Sequence, residues 1–224
     1  MQSKLKVLAA GVLAALAISA LPGMASAGEF TADCETGAVC EGTISGGTAE
    51  FVNTAGEGFK CTSIGGNATL TSGSSTGTVS LVAKGCKEQI TGFGFSCNNT
   101  GVAGEIKTGS LVGHGIYVEP EKKLPGILIT NVNLTFNCAG FAKKTVTGNV
   151  IGADPTPECG VFKSQETETL SQTSPGVQQY KQVTTSGTVF DLMTNNDAGG
   201  AYLTSSLTGT ATITAVGTKV KATC

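Results

Sequence analysis

Apolar residues in this chain recur at every second position in short runs, not at the three-to-four spacing of a helix. The clearest run is 127–138, where Val132, Leu134, Phe136 and Cys138 alternate with Asn131, Asn133, Thr135 and Asn137. Period two over that length predicts a strand with one wet face. Residues 78–83 alternate in the same way, with Val79, Leu81 and Ala83 inward. Phe59 and Cys61 share one face, and so do Phe93, Phe95 and Cys97. Shorter strands are expected at 51–52, 68–70, 146–151, 178–183, 188–193 and 202–203. Residues 106–118 are apolar but carry Gly109, Gly113 and Gly115, which predicts two short strands or a bulged one. A closing hairpin is expected over 207–224, turning at Val216-Gly217.

Turn residues separate these runs at intervals of eight to twelve: Asn53–Gly58, Gly65-Gly66-Asn67 and Ser72–Gly77 are examples. This spacing predicts an all-β fold, an antiparallel β-sandwich or barrel of short strands. Gly and Thr are equally abundant at 32 each, and Thr and Val suit half-buried pleated surfaces. No fixed-period repeat is present. The pattern lapses over 153–176, where a proline-rich turn precedes a polar stretch (164–175) nearly devoid of large apolar groups. That stretch reads as a linker or long surface loop, and is where a subdomain break would fall.

Composition changes the picture at the N-terminus. Residues 1–27 combine Lys4 and Lys6, an apolar run over 7–21 and the small-residue site Ala25-Ser26-Ala27. These are the parts of a secretory signal peptide. The run is too short, and too broken by Gly11, Ser19 and Pro22, for a membrane span. Cleavage after Ala27 leaves residues 28–224, read as one domain with no membrane anchor. All eight cysteines lie there: Cys34, Cys40, Cys61, Cys86, Cys97, Cys138, Cys159 and Cys224. An even count in an exported chain predicts disulfides. No C-x-x-C spacing favours zinc, and His114 is the single histidine. Eight cysteines allow 105 connectivities; the pairs Cys34–Cys40, Cys86–Cys97, Cys61–Cys138 and Cys159–Cys224 are the expectation.

Charge narrows the functions. After cleavage 12 Lys face 16 acids, a net of −4, and there is no Arg. A nucleic-acid partner would need a basic patch, so this balance argues against one. Trp is absent and only three Tyr occur, so aromatic platforms are scarce. No cofactor loop is present, so no cofactor is expected.

Candidate chemistry is sparse. His114 sits between two glycines, with Ser110 nearby but no nucleophile-elbow motif, so a catalytic triad lacks its members. An exposed turn is the simpler reading of His114. A carboxylate pair could hydrolyse a glycosidic bond without histidine. The candidates are Glu105, Glu119, Glu121, Asp154, Glu158 and Asp191, while the clusters at 119–121 and 166–168 read as solvated loop charges. Two acids about 5–10 Å apart in a cleft, one with a raised pKa, would mark such an enzyme. Residues 191–200 (DLMTNNDAGG) offer oxygen ligands for calcium, but their spacing is not that of a calcium loop, and a hairpin turn explains them better. Asn67, Asn98 and Asn133 head glycosylation sequons.

Several stretches resemble a large group of uncharacterised secreted, cysteine-containing, β-rich proteins of soil actinobacteria. They are Gly28–Ala32, Phe59–Thr62, the strand end Val79…Gly85-Cys86, Phe136–Cys138, 146–152 and 176–179 with its two following hairpins. The likeness spans most of the chain after residue 27. Cys34, Cys40 and Cys224 are not features of that group. The resemblance implies export and an all-β fold, and no mechanism.

The sequence therefore points to a secreted or cell-surface, non-enzymatic β-protein with a binding or structural role. Polar Thr, Ser and Asn faces suit cell-wall polysaccharide or other surface components as partners. The alternative is an extracellular, glycosidase-like hydrolase using a carboxylate pair. A secreted inhibitor presenting the loop 119–125 ranks third. The segments 101–126 and 153–176 are where a functional site is expected.

Overall fold

The computed structural model describes residues 24–25, 29–89, 94–119, 124–138, 142–156, 158–183, 189–196 and 201–223. Among them there is no helix. Twelve strands carry the architecture: β1 (Thr31–Cys34), β2 (Val39–Asn53), β3 (Gly58–Cys61), β4 (Ser63–Thr71), β5 (Thr76–Lys84), β6 (Leu111–Glu119), β7 (Leu124–Cys138), β8 (Ala142–Ala153), β9 (Gln165–Leu170), β10 (Leu192–Asn196), β11 (Leu203–Val216) and β12 (Val220–Thr223).

The pairings form a ring. Going round, β2 pairs with β4, then β5, β6, β7 and β8 follow in turn. β8 reaches β11 through two short strands set end to end, β10 and β9. β11 pairs back to β2, so the antiparallel sheet closes on itself and is barrel-like. Closure removes the exposed edges of an open sheet.

Two β-bulges keep the right side chains inside. On β7 the register shifts between Ile129 and Val132, opposite Val150 and Gly148. Asn131 takes the extra position with φ 58°, which Asn tolerates better than most residues, and its N–H donates to Asn149 Oδ1 at 3.0 Å. Gly148 faces it with φ 114°. Ile127 and Ile129 therefore share the inner face with Val132, Leu134, Phe136 and Cys138. On β2 a shift opposite Gly209 and Ala211 does the same, so inward Ile44 and inward Phe51 have opposite parity.

The inner face is filled unequally. At one end Phe51, Phe59, Phe136, Ile106, Val146 and Leu192 form a buried cluster with Cys61, Cys86, Cys97 and Cys138. Phe59 stacks on Phe51 with centroids 5.1 Å apart and meets Phe136 edge-on at 4.9 Å. Here the disulfides are Cys61–Cys86 and Cys97–Cys138. This corrects the expected Cys61–Cys138 and Cys86–Cys97 pairs. The reason is that 94–107 folds back as a cap. Cys97–Asn98 pairs with the end of β7 beside Cys138, while Cys86 is left within reach of β3. Cys34–Cys40 closes the short loop expected for it, at the other end. Cys159 is also disulfide-bonded; the pairing expected for it falls on Cys224, outside the described residues.

Other expectations change too. Residues 153–176 are not a bare linker, because Gln165–Leu170 is a strand in the barrel wall. The closing hairpin does not form: β12 turns away from β11 and pairs with β1. Strands expected at 202–203 and from 207 merge into β11. The chain between β9 and β10 crosses the outside of β6–β8, where Tyr180 and Leu124 pack on Ile116, Leu128 and Ile151. Phe93 lies outside the described residues.

Candidate functional site: an acid-lined cavity in the open end of the barrel

At the end of the barrel away from the phenylalanines, the inward positions are small. Gly42 on β2, Ala68 on β4, Gly77 on β5, Gly113 on β6 and Ala215 on β11 leave the lumen unfilled. The space is a cavity of about 190 Å³, walled also by Leu70, Val79, Ile127 and Ile213. An enclosed apolar space of about 150 Å³ is enough to take a benzene ring.

A two-stranded ribbon crosses the mouth. β1 pairs with β12, and Ala32, Val220 and Ala222 face the cavity. The ribbon is pinned on one side by Phe30 N–H donating to Gly115 O at 3.1 Å and Ala32 N–H to Ser74 O at 3.0 Å. On the other, Lys163 and Val220 exchange backbone hydrogen bonds at 2.9 Å. Its outer face carries Lys221, 3.4 Å from Asp33 and over the Phe162 ring.

One sector of the wall is acidic. Alternation along β9 turns Glu166, Glu168 and Leu170 inward, opposite Ile213, Ala211 and Gly209. Asp154, just past β8, is buried, and its Oδ1 accepts from Thr156 N–H at 2.8 Å, which fixes the turn after the strand. Lys163 lies 3.6 Å from Glu166 and 3.5 Å from Glu158, the latter exposed at the rim. Burial pushes the Glu166 carboxyl up to about 7 against the opposing pull of Lys163, with Asp154 adding to the rise through its charge and a hydrogen bond. Burial alone would lower the Lys163 ammonium, but Glu166, Glu158 and Asp154 together hold it above its ordinary value.

Glu168 is half-buried in the wall, and its Oε2 is buried with no hydrogen-bond partner. Room for it exists because residue 152 is Gly: a Cβ there would lie 3.3 Å from Glu168 Oε2. Burial, then the charges of Asp154 and Glu166, raise the Glu168 carboxyl well above the usual carboxylate range.

Of the acids singled out in the sequence, Asp154 and Glu158 line this cavity. Glu105 lies in the cap of the closed end, hydrogen-bonded through its backbone to Val102 and Asn99, and Asp191 lies beside Gly148 at the bulge. The side chain of Glu119 and all of Glu121 lie outside the described residues, as do residues 197–200 of the 191–200 stretch. Glu166 and Glu168, read as solvated, are the inward acids. Their strand alternates Glu166-Thr167-Glu168-Thr169-Leu170, and that period of two, with β-favouring threonines, was the available signal.

His114 is in a strand, not a turn. Its ring approaches Glu29 at 3.7 Å and Thr130 Oγ1 at 3.4 Å, at the edge of the cavity, while Ser110 is exposed. Asn133 is exposed on the wet face expected for it. Among the described residues no three His, Cys, Asp or Glu side chains gather as a metal-binding set.

No family model, curated protein or solved structure matches this chain. The cavity's own geometry therefore carries the functional reading.

Proposed function

We propose that the protein is a secreted, non-enzymatic binding protein that holds a small, mostly apolar ligand inside its barrel. The observation that carries this is the cavity of about 190 Å³ at one end of a barrel whose other end is filled and cross-linked. A largely apolar pocket with a few convergent polar groups is the usual form of a small-molecule site. Disulfides suit an oxidising compartment, and the signal-peptide features and the likeness to secreted actinobacterial proteins support export. The polar outer faces leave wall polysaccharide as a second kind of partner, met at the surface and not in the lumen.

Ligand-observed NMR of the mature protein with cyclohexanol tests the reading. Saturable binding is expected, abolished by Ala68→Phe, which fills the lumen. Absence of saturable binding, or binding that Ala68→Phe leaves intact, overturns it.

The hydrolase reading keeps one supporting observation, the raised Glu166 carboxyl beside Asp154. It ranks second because those two acids lie close enough for Asp154 to raise the Glu166 carboxyl directly. Glycosidase pairs stand roughly 5–10 Å apart to admit the glycosidic bond or a water. Turnover of aryl glycosides that is lost in Glu166→Gln would reverse the order.

A further inference from the structure

Glu168 poses a question of charge. A carboxyl with one oxygen buried and unpartnered is costly unless the site around it is completed by a donor. The protein's own cation does not serve, because Lys163 is engaged by Glu158, Glu166 and the Thr156 carbonyl. The other titratable groups on the cavity wall are Glu41 on β2, Asp154 after β8 and His114 on β6, the last turned toward Glu29. Acids thus outnumber bases, and the excess is greatest around Glu168. These acids are not arranged as a metal-ligand set, and most of the remaining wall is apolar, with hydroxyls of Thr69, Thr78, Ser74 and Ser75 among it. An occupant that completes this site needs a positively charged donor on an apolar body.

Resting on the binding reading above, we propose that the cavity takes a protonated amine carried on a compact hydrocarbon body, with its nitrogen seated in the acidic sector formed by Glu168, Glu166 and Asp154. The hydrocarbon part lies against Ala68, Val79, Ile127 and Ile213. On binding, the Glu168 carboxyl releases its proton to solvent and the ammonium donates to the resulting carboxylate, with Glu166 and Asp154 adjacent. Gly152 is a positioning residue: its missing side chain leaves the Glu168 carboxyl its place in the wall.

The test is calorimetric titration of the mature protein with cyclohexylamine, cyclohexanol and cyclohexanecarboxylate at pH 8. The amine is expected to bind about tenfold or more tighter than the alcohol, as a charge-assisted hydrogen bond would give, and the carboxylate weakest. Glu168→Gln should reduce amine affinity by about tenfold and leave alcohol affinity within about twofold. The amine-to-alcohol ratio is read in the unaltered protein, so it decides the matter even if the variant does not fold. Alcohol binding equal to amine binding overturns the ligand class and leaves the binding reading standing. If none of the three binds, both fall.

Discussion

The two ends of this barrel are built from the same strands and differ in what those strands point inward. Toward one end β2, β3 and β7 turn in Phe51, Phe59 and Phe136, with Cys61–Cys86 beside them and Cys97–Cys138 holding the cap over them. Toward the other, β2, β4 and β6 turn in Gly42, Ala68 and Gly113, and the acids of β9 complete the wall. A gradient of side-chain volume along the lumen makes one end a core and the other a cavity. The backbone ring is the same throughout, so core and site can vary independently.

Four measurements would break or sharpen this contrast. Phe136→Ala empties the closed end, and a cost of about 4 kcal/mol is expected in the urea midpoint; a cost near zero would mean that end is not the core. Replacing Cys97 and Cys138 together by Ser removes a link 41 residues long in sequence and should cost about 3 kcal/mol. Ile127→Ala at the open end extends a space already present. Its expected cost is about 1–2 kcal/mol, below the usual range for a packed core; a loss equal to that of Phe136→Ala would erase the difference between the ends.

The fourth is a pH dependence confined to the acidic wall. Burial chiefly raises the folded-state pKa of Glu166 to about 7, and that of Glu168 well above normal. The folded protein then holds protons that the unfolded chain releases. This stabilisation is complete below the ordinary carboxylate value of 4.5 and is lost as pH rises through about 7. Glu166 keeps 32% of its side chain exposed, so screening reduces its share to about 1 kcal/mol. Urea midpoints from pH 5 to pH 8 should fall less in Glu166→Gln than in the parent protein. Parallel curves would show that the group is not coupled to folding.

The all-β class was legible in the alternation, and most clearly in β7, where Val132, Leu134, Phe136 and Cys138 lie inward as the pattern predicts. The first half of β2 was hidden. Glycines and threonines dominate it, and its bulge reverses the parity between Ile44 and Phe51, so no single alternation runs its length. Cysteine parity was readable, since Cys61, Cys97 and Cys138 are all buried. Pairing was not, because it depends on how the 94–107 cap folds back, which is a tertiary matter. The cavity acids escaped for a different reason. Sequence patterning equates charge with water, and β9 places charge on an inner face where the opposing small residues leave room for it.

The ribbon over the mouth also bears on timing. Its strands are distant in the chain, as the hydrogen bond from Thr223 to Asp33 across 190 residues illustrates. Closing so long a loop carries a larger entropy cost than joining the neighbouring strands of the barrel. The ribbon buries little in return: its residues are half-buried or, at Thr223, exposed, and none is fully buried. The ribbon is therefore expected to open locally ahead of the barrel. Exchange of its backbone hydrogens with solvent will run ahead of the barrel's, and Cys34–Cys40 tethers β1 to β2 while it does.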